Sequence, residues 1–575
     1  MRRWSGRIAR SALLVVAAVA GWATPASAHA QLLSTEPAAQ AVLPRSPGKV
    51  VLHFGEAVEV QLGSIRVYDA GAHRVDSGEA THPAGDSHSV ATTVPANLPP
   101  GGYVVTWRVI SADSHPVHGA FVFQIGTAAL GDNTRAEASR LLAATGGSRT
   151  VGVVFGIDRF VAFLALAVLV GGAAFVEGIW QLGGTRPAVR RLLWAGWGLA
   201  AASTVVGIGL QGAYGGALPL GDVLRPSVVR AVLHTRYGEV ALLRLAVLAV
   251  AAVLLWLLFR PRPTPRPWRP LALLAGGVLL LTPGLAGHAG TGSLVALTLP
   301  FDLIHLAGVS VWTGGLVVLA LAVLTPPPED AADVEPPDAD LPDAVRRFSQ
   351  WAFVAVIAIA VSGGVAAWRQ VGSFANVTTT PYGRLVLYKT IAFVVVVAVA
   401  SASRRIVHGD LALPLARRGR TRHPRAGGAP GPRVRRAVLG ELGVIAVVFG
   451  LTAVLVNAPP ARQSVSKSSS SEVTAGDTLL VDTTVQPTTA GPITVHLYLL
   501  TPDGATADPP QVTATFALPN RGIDGVDVPL QKAGPGHYVA SGVDIPIRGR
   551  WVLQVTVRTS DTDEVVAKPI SVTIH

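Results

Sequence analysis

Residues 297–324 read LTLPFDLIHLAGVSVWTGGLVVLALAVL, with Asp302 and His305 as the only ionisable side chains. A helix needs roughly 20 apolar residues to cross the hydrocarbon core of a bilayer, and this stretch meets that length. Comparable stretches occupy about 150–176, 192–213, 239–259, 270–288, 350–368, 384–402 and 437–457. Together they predict an eight-helix transmembrane bundle over 150–460. Composition agrees: of 575 residues, 50% are hydrophobic and 14% charged, with a mean hydropathy of +0.45. That is too apolar for a soluble chain and too long for one domain.

An even number of spans returns the chain to the side on which it starts. The loops on the other side include GGTRPAVRR, RPRPTPRPWRP and an arginine-rich segment from Ser403 to Arg436. They carry nineteen arginines against about four in the alternate loops, the asymmetry expected of cytoplasmic loops. Topology therefore explains the net charge of +12, and no nucleic-acid partner is expected.

Working outward, the N-terminus carries four arginines, the apolar run SALLVVAAVAGWA and the small-residue site Ala26-Ser27-Ala28, the pattern of a secretory signal peptide over 1–28. Cleavage after Ala28 makes His29 the first residue and puts both ends of the chain outside. From Lys49 to Gly126, runs such as KVVLHFGEAVEV, GGYVVTWRVI and GAFVFQIG alternate with period two and predict a small β-sandwich over 29–126. A linker over 127–149 follows. Beyond the bundle, a polar linker leads to period-two runs such as TVHLYLL and RGRWVLQVTVRT, which predict a second all-β sandwich over 471–575. The expected class is thus a multidomain protein of the plasma membrane, multi-pass, with both sandwiches on the extracytoplasmic side.

The chain has no cysteine, and its only methionine is Met1. Disulfides and soft sulfur ligands are excluded from the mature protein. No P-loop or other nucleotide motif is present, so nothing couples the chain to ATP. Nitrogen and oxygen donors remain. A terminal histidine offers its α-amine and ring Nδ1 as a six-membered chelate, and copper(II) has the highest affinity among divalent ions for such sites. Asp113 and His115, in SADSHPVHG, are the candidates for the remaining equatorial donors. Two residues apart at the end of an extended strand, they would project to one side, with Pro116 stopping the strand from continuing as a central one. His118 has the wrong parity. His53, His73, His82 and His88 lack convergent spacing and read as surface or structural residues.

Ionisable groups inside a bilayer are costly and face cavities or partners. His288 ends the fourth span, and Asp302 and His305 lie at i and i+3 on the fifth, with Trp312 near the same face. If the two spans pack as a hairpin, His288, Asp302 and His305 could meet as a transmembrane copper path near the external surface. Alternatively, His288 lies at the interface and Asp302 caps a helix. Asp158, Arg159, Arg244, Lys389 and Glu441 are further intramembrane or boundary groups whose partners the sequence does not identify.

The run HAQLLSTEPAAQAVLPRSPGKVVLHFGEAVE, with PPGGYVVTWRVISADSHPVHGAFVFQIG, resembles the CopC family of periplasmic copper-binding β-barrel or sandwich proteins over nearly all of 29–126. That resemblance implies copper(II) ligands at His29, Asp113 and His115; the methionine-rich copper(I) site of some members has no counterpart here. HLAGVSVWTGGL, RRFSQWAFVAVIAIAVSGGVAAWRQV, TPYGRLVLYKT and ELGVIAVVFGLTAVLVNAPP resemble the CopD family of integral membrane copper proteins, over roughly 150–460. GPGHYVASGVDIPIRGRWVLQVTVR resembles the YtkA-like sandwich that ends some YcnJ-like fusions of the two. The three-part order implies a copper homeostasis protein and not an enzyme. External copper(II) would pass to the bundle for import, with copper ion and the lipid bilayer as partners. The alternatives are resistance by external sequestration, a membrane redox or haem protein using His288 and His305, and copper-dependent oxygen chemistry. An equatorial Asp113 argues against the last.

Overall fold

The computed structural model describes residues 30–126 apart from 31, 39 and 40; 140 and 141; 147–260; 267–291; 294–324; 341–416; 432–458; 461; and 469–574 apart from 477, 487, 489, 503–505, 535 and 561. The expected signal peptide, His29 and most of the expected 127–149 linker lie outside the described residues.

The apolar segments fold as helices, with ends set by local chemistry. They are α1 (Arg149–Gly178), α2 (Pro187–Gly215), α3 (Pro226–Leu233), α4 (Arg236–Leu258), α5 (Arg269–Leu285), α6 (Val295–Leu324), α7 (Leu341–Val371), α8 (Phe374–Thr379), α9 (Pro381–Ala416) and α10 (Pro432–Asn457). Ser148 caps α1 by accepting the Val151 amide, and Thr235 caps α4 by accepting that of Gly238. Proline supplies the first residue of α2, where its missing N–H costs nothing.

Among the described residues, seven of these helices are long and apolar enough to cross a membrane. The fourth expected span, α5, is shorter than the sequence suggests. It stops at Leu285, just after Pro283, and a tight turn over His288–Gly290 follows. At 17 residues it reaches about 25 Å. Two arginines hold the turn that follows: Arg236 donates to the Gly290 carbonyl at 2.7 Å and Arg369 to that of Thr291 at 3.0 Å.

The helices form one unit over 148–460. Its core includes Phe175, Trp180, Leu193, Leu248 and Trp312. Small residues bring α1 and α6 into backbone contact. A Cβ on Gly171 would lie 1.7 Å from the Ser310 carbonyl oxygen, and one on Gly314 would lie 2.5 Å from the Gly172 nitrogen. At the same place α1 widens to π-helical pitch over Ala167–Gly171.

The N-terminal sandwich has strands β1 (Leu32–Glu36), β2 (Val42–Leu43), β3 (Lys49–Phe54), β4 (Val58–Asp69), β5 (Ser77–Thr81), β6 (Ser89–Thr93), β7 (Gly101–Ser111) and β8 (Pro116–Ile125). One sheet runs β1-β3-β6-β5 and the other β2-β8-β7-β4. Val50, Leu52, Ile65, Val67, Val90, Val105 and Phe123 fill the space between them, and Tyr103 stacks on Phe123 at 5.3 Å. Trp107 lies over Gly119 on the neighbouring strand, where a Cβ would come within 2.6 Å of the indole.

The C-terminal sandwich has β9 (Ser469–Ala475), β10 (Leu479–Gln486), β11 (Gly491–Leu500), β12 (Gln511–Leu518), β13 (Ile523–Val528), β14 (Gln531–Gly534), β15 (His537–Ile545), β16 (Gly549–Arg558), β17 (Glu564–Val566) and β18 (Ile570–Ile574). One sheet runs β14-β15-β11-β10-β9, and the other β13-β12-β16-β17 with β18 also beside β16. Trp551, Phe516 and Leu553 are at its centre.

Candidate metal centre

Asp113 and His115 sit in the turn between β7 and β8. The Ser114 amide donates to the Ser111 carbonyl at 2.8 Å, and the Ser111 amide donates to the His115 carbonyl at 2.9 Å. Ser114 takes a positive φ of 69°, the left-handed residue that closes a three-residue hairpin loop. The pair therefore converges because the chain turns back, not because strand alternation projects both side chains to one side. Pro116 also plays a different part from the one expected. It opens β8, which is an interior strand between β2 and β7; as first residue it withholds no central ladder bond.

The turn fixes both side chains. Asp113 is fully buried and His115 is 7% exposed. Asp113 Oδ1 accepts the Ser111 hydroxyl and, at 3.2 Å, the His115 amide. The His115 ring brings Nδ1 to 3.1 Å from the Asp113 carbonyl oxygen and 3.2 Å from Oδ1. Donation from Nδ1–H sets the tautomer and places the ring's lone pair on Nε2, an arrangement of carboxylate and histidine that metal sites commonly use.

A second acid belongs to this neighbourhood. The Glu56 carboxyl, in the β3–β4 connection, is pushed up to about 7, first by burial and then by the negative charge of Asp113. Its Oε1 is buried without a hydrogen-bond partner among the described residues. The only sequence signal was an acid directly after the apolar strand VVLHFG. His118 is exposed, across from Arg108 and away from the turn. The other histidines have local partners: His53 with Ser89 at 2.8 Å, His82 with the Ser89 carbonyl at 2.8 Å, His73 with Asp69 at 3.3 Å and His88 with Asp86 at 3.7 Å.

In the helical unit, His288, Asp302 and His305 do not form a three-ligand group among the described residues. His305 Nδ1 lies 3.0 Å from Ser362 Oγ of α7. The Ser362 hydroxyl donates to the Ala358 carbonyl at 2.5 Å, so it accepts from the imidazole. Asp302 faces α5, where a Cβ on Gly284 would come within 2.3 Å of its Oδ2, and it interacts electrostatically with Lys389 of α9. It lies inside α6, beyond the first turn, so it is not that helix's cap. Arg244 donates to Thr282 Oγ1 at 2.8 Å. Arg159 donates to Asn457 and lies 4.1 Å over the Phe155 ring.

Four family models match the chain: the CopC domain over 32–126, the Copper resistance protein D-like N-terminal domain over 150–296, Copper resistance protein D over 342–455 and FixH over 476–568. The C-terminal sandwich thus matches FixH where the sequence resemblance pointed to YtkA. The copper transport protein CutJ of Bacillus subtilis is 27% identical over 375 residues, 64% of this chain and 66% of that protein, a little under two thirds of its length. Copper resistance protein C of Escherichia coli is 30% identical over 124 residues, 98% of its length and 20% of this chain. The crystal structure of CopC from Methylosinus trichosporium OB3b is 33% identical, with 93% of that chain and 17% of this one covered and a TM-score of 0.16.

Proposed function

From the premise that this chain belongs to the CopC and CopD copper-resistance families, joined in one polypeptide, we propose that it captures copper(II) outside the membrane and passes it to the helical unit for import. The observation that carries this reading is the Asp113–His115 turn. A hydrogen-bonded carboxylate and an imidazole of fixed tautomer lie side by side in a chain whose only sulfur is that of Met1. That donor set suits copper(II) among the divalent ions. His29 would complete the square with its amine and ring, Asp113 would coordinate through carboxylate oxygen, and His115 through Nε2. Glu56 would stand beside the site as a proton store or an axial oxygen.

Import needs no nucleotide in this scheme. A membrane potential, inside negative, favours inward cation movement by about 2.3 kcal/mol per charge per 100 mV. The relative that bears the name of a transport protein supports the direction-neutral part of the reading; the arginine asymmetry of the loops supports external sandwiches. No step requires covalent chemistry, and the protein acts as a binder and carrier, not an enzyme. The test is copper accumulation in a deletion strain complemented with wild type, His29→Ala, Asp113→Ala or His305→Ala. Import predicts low accumulation in the deletion strain, restored by wild type alone. Raised accumulation on deletion would favour external sequestration instead.

A further inference from the structure

The C-terminal sandwich holds a second pair of histidines, joined by strand register. Along β11, Val495, Leu497 and Leu499 point into the core and are fully buried. His496 and Tyr498 consequently point to the other face of that sheet. Tyr498 pairs with His537 of β15 on one side and with Asp482 of β10 on the other. His496 pairs with Val539, within the regular stretch Val495–Tyr498 that follows a register shift between Ile493 and Val495. His496 and His537 are only 8% and 5% exposed.

The two rings meet in a particular way. His496 Nδ1 lies 3.2 Å from His537 Nε2, the ring centroids are 5.5 Å apart, and the planes are within 13° of each other. With the centroids that far apart, a contact this short requires the two nitrogens to face each other end to end, in nearly one plane. The His537 ring is in turn fixed from its face by Tyr498, at 4.3 Å and 7°. Burial keeps both rings neutral, with His496 also acting on His537.

We propose that His496 and His537 form a copper(I) site, binding one ion in a linear arrangement between the two facing nitrogens. Tetrahedral ions need lone pairs that converge at an angle, square-planar ions need two donors beyond a collinear pair, and these two lone pairs point along one line. A two-coordinate d10 ion accepts that line. With metal–nitrogen bonds of about 2 Å, the pair would open from 3.2 Å to about 4 Å, a change that rotation about the side-chain bonds supplies. The protonation balances. Each neutral imidazole carries one N–H; the proton now between the rings moves to that ring's outer nitrogen, both rings stay neutral, and none is released. Sulfur, which ordinarily takes copper(I), is absent from the mature chain. The site is independent of the N-terminal copper(II) reading, since it shares no residue with it.

The test uses full-length protein in detergent, without oxygen, titrated with copper(I) against a chromogenic copper(I) chelator. The expected result is that His496→Asn and His537→Asn each lose one copper(I) equivalent, with affinity at that site falling more than about 100-fold, while His29→Ala retains it. Equal copper(I) binding by wild type and the double variant would overturn the proposal. Thermal melts identify any variant that fails to fold. An X-ray absorption spectrum of copper(I)-loaded His29→Ala protein leaves the pair unaltered: a two-coordinate, all-nitrogen ion is expected, and a three- or four-coordinate ion would exclude the linear site.

Discussion

The β7–β8 turn and the helical unit handle polar groups in opposite ways. In the turn, Asp113 and His115 are two residues apart, and hydrogen bonds confined to five residues, Ser111 to His115, hold them. In the helices, the ionisable groups of the interior look to another helix: His305 to Ser362 on α7, Asp302 to Lys389 on α9, Arg244 to Thr282 on α5. The first arrangement is local, and one strand pair specifies it. The second exists only when helices far apart in sequence pack in register. Damage to a local site should leave the rest of the molecule intact, whereas damage to helix packing should scatter several groups at once.

The largest expected effect tests the local side of that contrast. Replacing His115 by Ala, or adding one alanine before His29, should weaken copper(II) binding by at least about 100-fold, equivalent to about 2.7 kcal/mol, with the melting temperature little changed. Competition titration measures it, and unchanged affinity in the extended protein would exclude the terminal chelate. Next is Gly284→Val, which places carbon where Asp302 now lies. Overpacking of this kind costs about 1–3 kcal/mol. Thermal unfolding in detergent should register the loss and copper accumulation should fall, while copper(II) titration of the sandwich stays as in wild type. A parallel loss of copper(II) binding would mean that the two regions are not separable.

A smaller effect concerns pH. Burial, and then His496, lower His537 to about 4 from its ordinary 6.5. The unfolded chain therefore takes up a proton that the folded one refuses. The stabilising contribution is complete above pH 6.5 and is lost as pH falls toward 4, by on the order of 1 kcal/mol per pH unit. Hydrogen exchange of β11 and β15 amides, corrected for intrinsic rates, should show more opening across that window, while His537→Phe should flatten the dependence. The smallest effect is expected of Ser362→Ala. It removes one hydrogen bond to His305 and costs about 1 kcal/mol, so a melt should shift slightly while copper(II) binding at the turn stays constant.

Much of the architecture was legible because apolar length and period-two alternation are strong signals. The shortening of α5 was weaker in the sequence: Pro283 is tolerated within a helical pattern, and only the following turn shows where the helix ends. At the Asp113–His115 turn, residue types were readable but the cause of convergence was not. The positive φ of Ser114 carries no signal in a serine. Glu56 carries little signal in the sequence, because a single acid in a strand connection gains meaning only from its neighbour Asp113. The approach of His496 to His537, 41 residues apart, depends on the register of β11 with β15, which pairs Tyr498 with His537 and His496 with Val539. The partners of His305 and Asp302 were hidden for a similar reason, since helical periodicity gives a face but not the helix opposite.

The glycine contact between α1 and α6 bears on how the bundle could work as a machine. Helices separated by a layer of side chains can slide, because rotamers adjust as the axes shift. Here the Gly171 and Gly314 backbones lie against the opposite helix, so no such lubricating layer exists. A carrier built on this frame would move α1 and α6 together as a fixed spindle, and any rocking that admits cargo would fall to the helices around it.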